Sequence, residues 1–289
     1  MGFLLTEEQT MLRESALAFI AEQSPVAQQR ALRDGAAPLG YNPALWQQAV
    51  ELGWPIAALP ENAGGLAVGY AGLGAIFDLM GRHLAALPLL SHSVLAAELL
   101  LQVNDAAQQA RWWPLLAAGD ERLALALDES QHHWPRPLKA MAERQADGWL
   151  LQGEKAFVID GMGARWFLVA AQVAGEAAPA LFIVDSAAAG VAVTPLHLAD
   201  SRNHARVTLQ AVQLPADARL GLPDAAAALD HALDCARSCL AAEACGMARE
   251  VLERTVAYLK ERVQFDVAIG SFQALQHRMA RLYCEVEML

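Results

Sequence analysis

Tyr258-Leu259-Lys260-Glu261-Arg262-Val263-Gln264-Phe265-Asp266-Val267-Ala268-Ile269-Gly270-Ser271-Phe272-Gln273-Ala274-Leu275-Gln276-His277-Arg278-Met279 is the stretch on which the fold reading turns. It reads as a helix end carrying a fixed cation and an aromatic, a turn at Gly270, and a new helix opening at Ser271 with the polar Gln273 behind it. An Arg fork beside amide side chains could grip a pyrophosphate through paired N–H bonds while Phe265 covers an apolar ring. The same spacing also describes an ordinary helix–turn–helix with a charged surface.

Upstream of this junction, residues 225–263 form one long helical pattern. Leu229, Leu233, Ala236, Leu240, Ala244, Met247, Val251, Thr255 and Tyr258 recur at three- and four-residue steps, the stripe of a helix packed in a bundle. Downstream, the second helix is still running at Leu289. Two helices bury their faces poorly, so the bundle reads as incomplete. Between Gly119 and Pro223 the period changes to that of strands, at 149–159, 165–171, 180–185, 191–195 and 205–214, spaced by Gly, Pro and Asp. No helix of useful length separates them, which argues for an antiparallel barrel or sandwich and against a parallel nucleotide-binding sheet.

The first 120 residues are helical in pattern. A capping box of Thr6 with Gln9 opens a helix reaching about Ala27, and Asn42 caps a second over 43–52 that stops at Gly53. Residues 53–65, with two Pro and three Gly, form a shaped loop. Helices follow at 70–81, 91–102 and 106–118. The expected fold class is therefore α+β and multidomain: an N-terminal helical domain (1–120), a small β domain (121–222) and the start of a C-terminal antiparallel bundle (223–289).

Composition narrows the function. Of 289 residues, 55% are hydrophobic, and 32 acidic against 21 basic side chains leave a net charge of −11 with no Lys/Arg cluster, so no nucleic-acid partner is expected. The chain shows neither a secretion signal nor an apolar run of about 20 residues. Cys235, Cys239, Cys245 and Cys284 lack CxxC spacing and read as free thiols of a reducing cytoplasm. No metal is expected, because no HxxxH or HxxE pattern sets two ligands on one helix face. There is no GxSxG elbow, and Gly161-Met162-Gly163-Ala164-Arg165-Trp166 has Trp where a dinucleotide fingerprint needs its third glycine.

The junction segment resembles the signature of the acyl-CoA dehydrogenase family, in which Arg-x-x-Phe-Gly, an Ile a few residues on, and Phe-Gln-x-x-x-His occur where the two long C-terminal helices meet. The resemblance extends along the chain: Leu52-Gly53-Trp54-Pro55 through Gly64-Gly65 and Gly81-Arg82-His83-Leu84 with Pro88 match further family segments, and the order helical domain, β domain, bundle is the family's. It implies FAD held across a dimer interface by Arg262, Phe265 and Gln273, with Gln264 as a hydrogen-bonding neighbour, and Leu127, Phe157 and Val158 beside the flavin. Asp234 and Arg237 lie at the position of the acyl-CoA-binding pair, although an i, i+3 surface ion pair describes them equally. Residues 258–260 with 269–279 are most similar to the small subunits of pimeloyl-CoA dehydrogenases, which implies dicarboxylyl-CoA oxidation beside a large paralogous subunit. An electron-transferring flavoprotein as acceptor, and a homodimer, homotetramer or heteromer, are implied in the same way.

Four departures accompany the resemblance. Asp266 stands where the family has glycine. The flavin loop appears only as Ala126-Leu127-Asp128-Glu129-Ser130 followed by Gln131-His132-His133-Trp134, without Gly-Ser-Asp. The strand motif Lys-x-Trp-Ile-Thr is Lys155-Ala156-Phe157-Val158-Ile159, in which Phe157 can stack but Ile159 cannot donate a hydrogen bond. The family's usual catalytic glutamate falls beyond Leu289, and the minority position directly before the helix arginine is Ala236. No catalytic residue is assigned.

Overall fold

A computed structural model describes residues 4–35, 37, 39–133 and 137–289. Trp134 of the altered flavin loop and residues 1–3 of the N-terminus lie outside them. In chain order the helices are α1 (Glu7–Gln23), α2 (Val26–Asp34), α3 (Pro43–Glu51), α4 (Gly69–His83), α5 (Ala97–Leu101), α6 (Ala106–Ala118), α7 (Ala225–Glu261) and α8 (Gln273–Glu287). A π-helical segment, Leu90–Ala96, runs directly into α5. The strands are β1 (Leu123–Ala126), β2 (Met141–Gln145), β3 (Gly148–Ile159), β4 (Trp166–Val173), β5 (Pro179–Asp185), β6 (Val191–Leu196), β7 (His204–Pro215), β8 (Val263–Gln264) and β9 (Val267–Ala268).

Helix starts follow their capping chemistry. The Thr6 hydroxyl accepts from Gln9 N–H at 3.2 Å while the Gln9 amide accepts from Thr6 N–H at 3.0 Å, which closes the expected capping box. Asn42 Oδ1 accepts from Ala44 N–H at 2.9 Å, and Gly53 takes φ +76° just after α3. α1 stops at Gln23, short of the expected Ala27, and the separate α2 follows it, which the sequence pattern missed.

Contacts divide the chain into two compact units. The first comprises the described part of Met1–Ala27 with Ala71–Ala85 and Ser238–Leu289, and the second the described parts of Gln28–Tyr70 and Ala86–Arg237. In the first unit, α4 and the second half of α7 meet backbone to backbone. A Cβ added at Gly81 would strike the Glu243 carbonyl oxygen, and one at Gly246 the Asp78 carbonyl oxygen. Arg82 with Glu250 and Glu253, and Arg249 with Asp78, tie the two helices beside that crossing.

The buried edge of α7 differs from the stripe that the bulky residues mark. Ala232, Ala236, Cys239, Glu243 and Gly246 are buried, whereas Leu240, Met247, Val251 and Tyr258 are exposed. Small side chains allow close helix approach, so the helix packs on its narrow face and leaves its broad one uncovered in this chain.

The second unit is built on one sheet. β3 pairs antiparallel with β7 and β7 with β6, while β5 pairs antiparallel with β4. β1 and β2 lie end to end along the other edge of β4, Leu123–Ala126 opposite Trp166–Val169 and Met141–Ala142 opposite Gln172–Val173, both parallel to it. β2 continues as the antiparallel neighbour of β3. The expected all-antiparallel pairing is thus corrected to a seven-stranded mixed sheet. Its parallel pairs join strands that are not consecutive, so intervening strands make the crossover that a helix would otherwise provide. Trp149, Leu151, Val158, Phe167, Val169, Phe182, Val207, Leu209 and Val212 form its core. Among the described residues no helix is long and apolar enough to cross a membrane.

Candidate functional site

The junction that opened the sequence reading folds as a helix end, a hairpin and a second helix. α7 ends at Glu261, β8 and β9 pair through Val263–Ala268 and Gln264–Val267, and Phe265-Asp266 form the two-residue turn. Both turn residues are left-handed, at φ +54° and +64°, as a tight hairpin turn matching strand twist requires. The Ile269 N–H donates to the Arg262 carbonyl at 2.8 Å. Gly270 lets the chain pass close to the Leu259 carbonyl oxygen, where an added Cβ would sit 2.8 Å away. α8 then starts at Gln273, two residues later than expected.

This geometry presents the four expected cofactor residues outward. Arg262, Gln264, Phe265 and Gln273 are all exposed, and Phe265, at 87% exposure, meets Phe272 in a T-shaped pair with ring centroids 6.1 Å apart. Among the described residues the Arg262 guanidinium has no ion pair. An exposed cation just before β8 and an exposed aromatic ring at the hairpin turn thus lie within one short segment. The segment fits a diphosphate with an attached ring in donor type, except that Asp266 puts a carboxylate into the hairpin turn.

The other expected flavin residues lie on the sheet. The registers Lys155–Val207 and Val158–Ala205 leave one extra residue in β3. Phe157 occupies that bulge at φ +52°, and bulges of this kind re-aim a side chain. Phe157 is half-buried, while Val158 and Leu127 are buried, Val158 at 1% exposure within the sheet core. Phe157 therefore offers a ring surface, and Val158 only its backbone.

Sequence reading missed what fixes this bulge. Lys155, fully buried, sets its Nζ 2.6 Å from Glu129 Oε1 and 3.2 Å from the Leu127 carbonyl. Glu129 also accepts from the N–H groups of Lys139, at 2.6 Å, and Ala140, at 2.9 Å. Burial pushes Lys155 down, partly offset by Glu129. Burial pushes Glu129 up, and its hydrogen bonds from Lys155 and from backbone together with the Lys155 charge outweigh that, so its carboxyl is held below the usual range. Nearby, Asp160 lies just beyond β3 at φ +54°. It accepts from the Ser91 hydroxyl at 2.7 Å and is raised by burial. No spacing in the sequence brings Ser91 to Asp160.

On α7, Arg237 Nη1 lies 2.6 Å from Asp234 Oδ1 as an i, i+3 pair with side chains 57% and 73% exposed. Ala236 between them is buried. A cleft of about 480 Å³ lined by Met162, Leu196, His197, Arg202 and His204 contains none of the expected site residues.

Residues 6–120 match the acyl-CoA dehydrogenase N-terminal domain and residues 226–289 its C-terminal domain. Acyl-CoA dehydrogenase FadE12 of Mycobacterium tuberculosis is 31% identical over 299 residues, covering 99% of this chain and 75% of that protein. Among solved structures, the Tcur3481-Tcur3483 steroid ACAD G363A variant superposes with a TM-score of 0.84 at 34% identity, over 97% of this chain and 74% of that one. The ChsE4-ChsE5 complex from Mycobacterium tuberculosis gives 0.85 at 28%, over 99% and 76%. The chain belongs to the acyl-CoA dehydrogenase family, whose members are FAD-dependent oxidoreductases.

Proposed function

We propose that this chain takes part in the FAD-dependent α,β-dehydrogenation of an acyl-CoA thioester, with a dicarboxylyl-CoA as the favoured substrate class and an electron-transferring flavoprotein as acceptor, in the cytoplasm. The observation that carries the reading is the exposed pair of Arg262, just before β8, and Phe265, in the left-handed hairpin turn that follows it. Arg262 would bind the cofactor diphosphate in a bidentate fork, Phe265 would cover a ring, Gln264 and Gln273 would hydrogen-bond beside them, and Phe157 would lie against the flavin. FAD, when bound, supplies the acceptor for the β-hydrogen. Asp234 and Arg237 would turn from each other toward the CoA moiety.

A second reading is a non-catalytic subunit of a heteromeric acyl-CoA dehydrogenase. It is favoured by the uncovered apolar residues Leu240, Met247, Val251 and Tyr258 on α7 and by Ala236 at the position where a minority of the family carries its base. Anaerobic titration of the purified yellow chain with glutaryl-CoA and pimeloyl-CoA separates the two. Bleaching of the flavin absorbance supports the enzyme. Retention of colour without bleaching, alongside stoichiometric co-purification with a paralogue, supports the subunit. In either case Arg262→Ala is expected to lower bound FAD at least tenfold, and Asp266→Gly to raise it several-fold, both measured as flavin per chain. Unchanged flavin content in Arg262→Ala defeats the cofactor assignment.

A further inference from the structure

The first turns of α7, the start of α4 and the helix α5 bring four polar side chains of the second unit to one point. Glu98 Oε2 lies 3.0 Å from His231 Nε2. Cys235 Sγ lies 3.7 Å from that same nitrogen, and the Tyr70 hydroxyl donates to Glu98 Oε1 at 2.6 Å. The donor atoms of Glu98, His231 and Cys235 all fall within 4.8 Å of one another. His231 and Cys235 are four residues apart and so share a face of α7.

Two arrangements could explain such a trio, and the ring nitrogen decides between them. A Cys–His–carboxylate relay needs the two imidazole nitrogens to face different partners, one toward the thiol and one toward the carboxylate. Here Nε2 meets both. A protonated Nε2 can satisfy the carboxylate but offers the thiol no lone pair, and an unprotonated one leaves an acceptor facing an acceptor. A cation among the three atoms satisfies them all.

We propose that Glu98, His231 and Cys235 form a binding site for a borderline-soft divalent cation of the zinc type. Carboxylate oxygen, imidazole nitrogen and thiolate sulfur at about 2.0–2.3 Å from a tetrahedral ion stand about 3.3–3.6 Å from each other; Glu98–His231 is 3.0 Å and His231–Cys235 3.7 Å, and Glu98 and Cys235 lie within 4.8 Å. Tyr70 holds the second carboxylate oxygen and so aims Oε2 at the ion, the outer-shell role that orients metal ligands. Three protein ligands leave a fourth position for water. Uptake displaces the Cys235 thiol proton to solvent. Neither the cofactor residues nor Asp234 and Arg237 belong to this set, so the site stands apart from the flavoprotein reading.

The test is titration of the chelator-treated full-length chain with cobalt(II), followed by competition with zinc chloride. The expected result is one ion per chain, with a thiolate-to-cobalt charge-transfer band in the difference spectrum, intense four-coordinate visible bands and release of a proton. Cys235→Ser should abolish the charge-transfer band. His231→Ala, whose side chain is 56% exposed and whose loss leaves helix packing intact, should weaken binding at least tenfold with unchanged thermal stability. Tyr70→Phe should weaken it several-fold. A weak six-coordinate cobalt spectrum in the parent chain overturns the proposal, as does unchanged affinity in His231→Ala.

Discussion

His92 shows how a single buried side chain ties helix to sheet and brings a pH dependence with it. Its Nε2 donates to the Leu116 carbonyl at 2.9 Å and its Nδ1 accepts from Leu123 N–H at 3.2 Å, so both nitrogens are used only when the ring is neutral. The Trp46 ring packs edge-on against it at 5.7 Å. Burial outweighs the hydrogen bond to Leu116 and lowers its pKa from 6.5 to about 4. The folded value lies below the unfolded one, so unfolding takes up a proton. The stability is fully present above pH 6.5 and is lost as pH falls from there toward 4, amounting to about 3 kcal/mol once both states are protonated. Urea unfolding at a series of pH values should show a one-proton slope over that window, and His92→Gln should flatten it. An unchanged slope in the variant would assign the dependence to another group.

At the scale of elements, the α4–α7 crossing is set by the absence of side chains at Gly81 and Gly246. Gly246→Ala drives a methyl group into the Asp78 backbone carbonyl, which only helix displacement can relieve, at a cost of about 2–4 kcal/mol. Gly64→Ala provides the contrast: nothing lies near its Cβ, and only its φ of +80° opposes the change, at about 1 kcal/mol. Thermal melts of the two variants should rank accordingly, and equal losses would mean the crossing can relax. The crossing also marks the limit of what could be read from sequence. Caps, stops and long strands were legible because their signals are local: Thr6 with Gln9, Asn42, Gly53, the alternation along β7. β1 was missed because all four of its residues are buried and nothing alternates. β2 was missed because only Ala142 of its five residues is buried. Their parallel pairing with β4 has no local signal at all.

For the whole molecule, the broad apolar face of α7 is the feature that asks for company. Val251, 65% exposed, and Tyr258, 57% exposed, lie on the stripe that the sequence pattern assigned to a bundle core. If that face is covered by a second copy or a paralogue, Val251→Glu should shift the sedimentation profile toward smaller species while leaving the melting temperature of the dissociated chain unchanged. An unchanged profile would leave the stripe without a structural role in assembly. The candidate site was legible to a similar degree. Arg262, Phe265 and Gln273 announce themselves because one short segment carries them. Lys155 with Glu129, and Tyr70 with Glu98, His231 and Cys235, come from separated segments that only folding joins.

β1 and β2 share one edge of a strand that is made after both of them. Leu123 can find no lateral neighbour until Trp166 has left the ribosome, and until then the apolar run Leu123-Ala124-Leu125-Ala126-Leu127 is an open strand with no charge to discourage stray pairing. Sheet closure is therefore a late, long-range event. A nascent chain halted before β4 should be the form that trigger-type chaperones hold longest and that aggregates first when they are withheld.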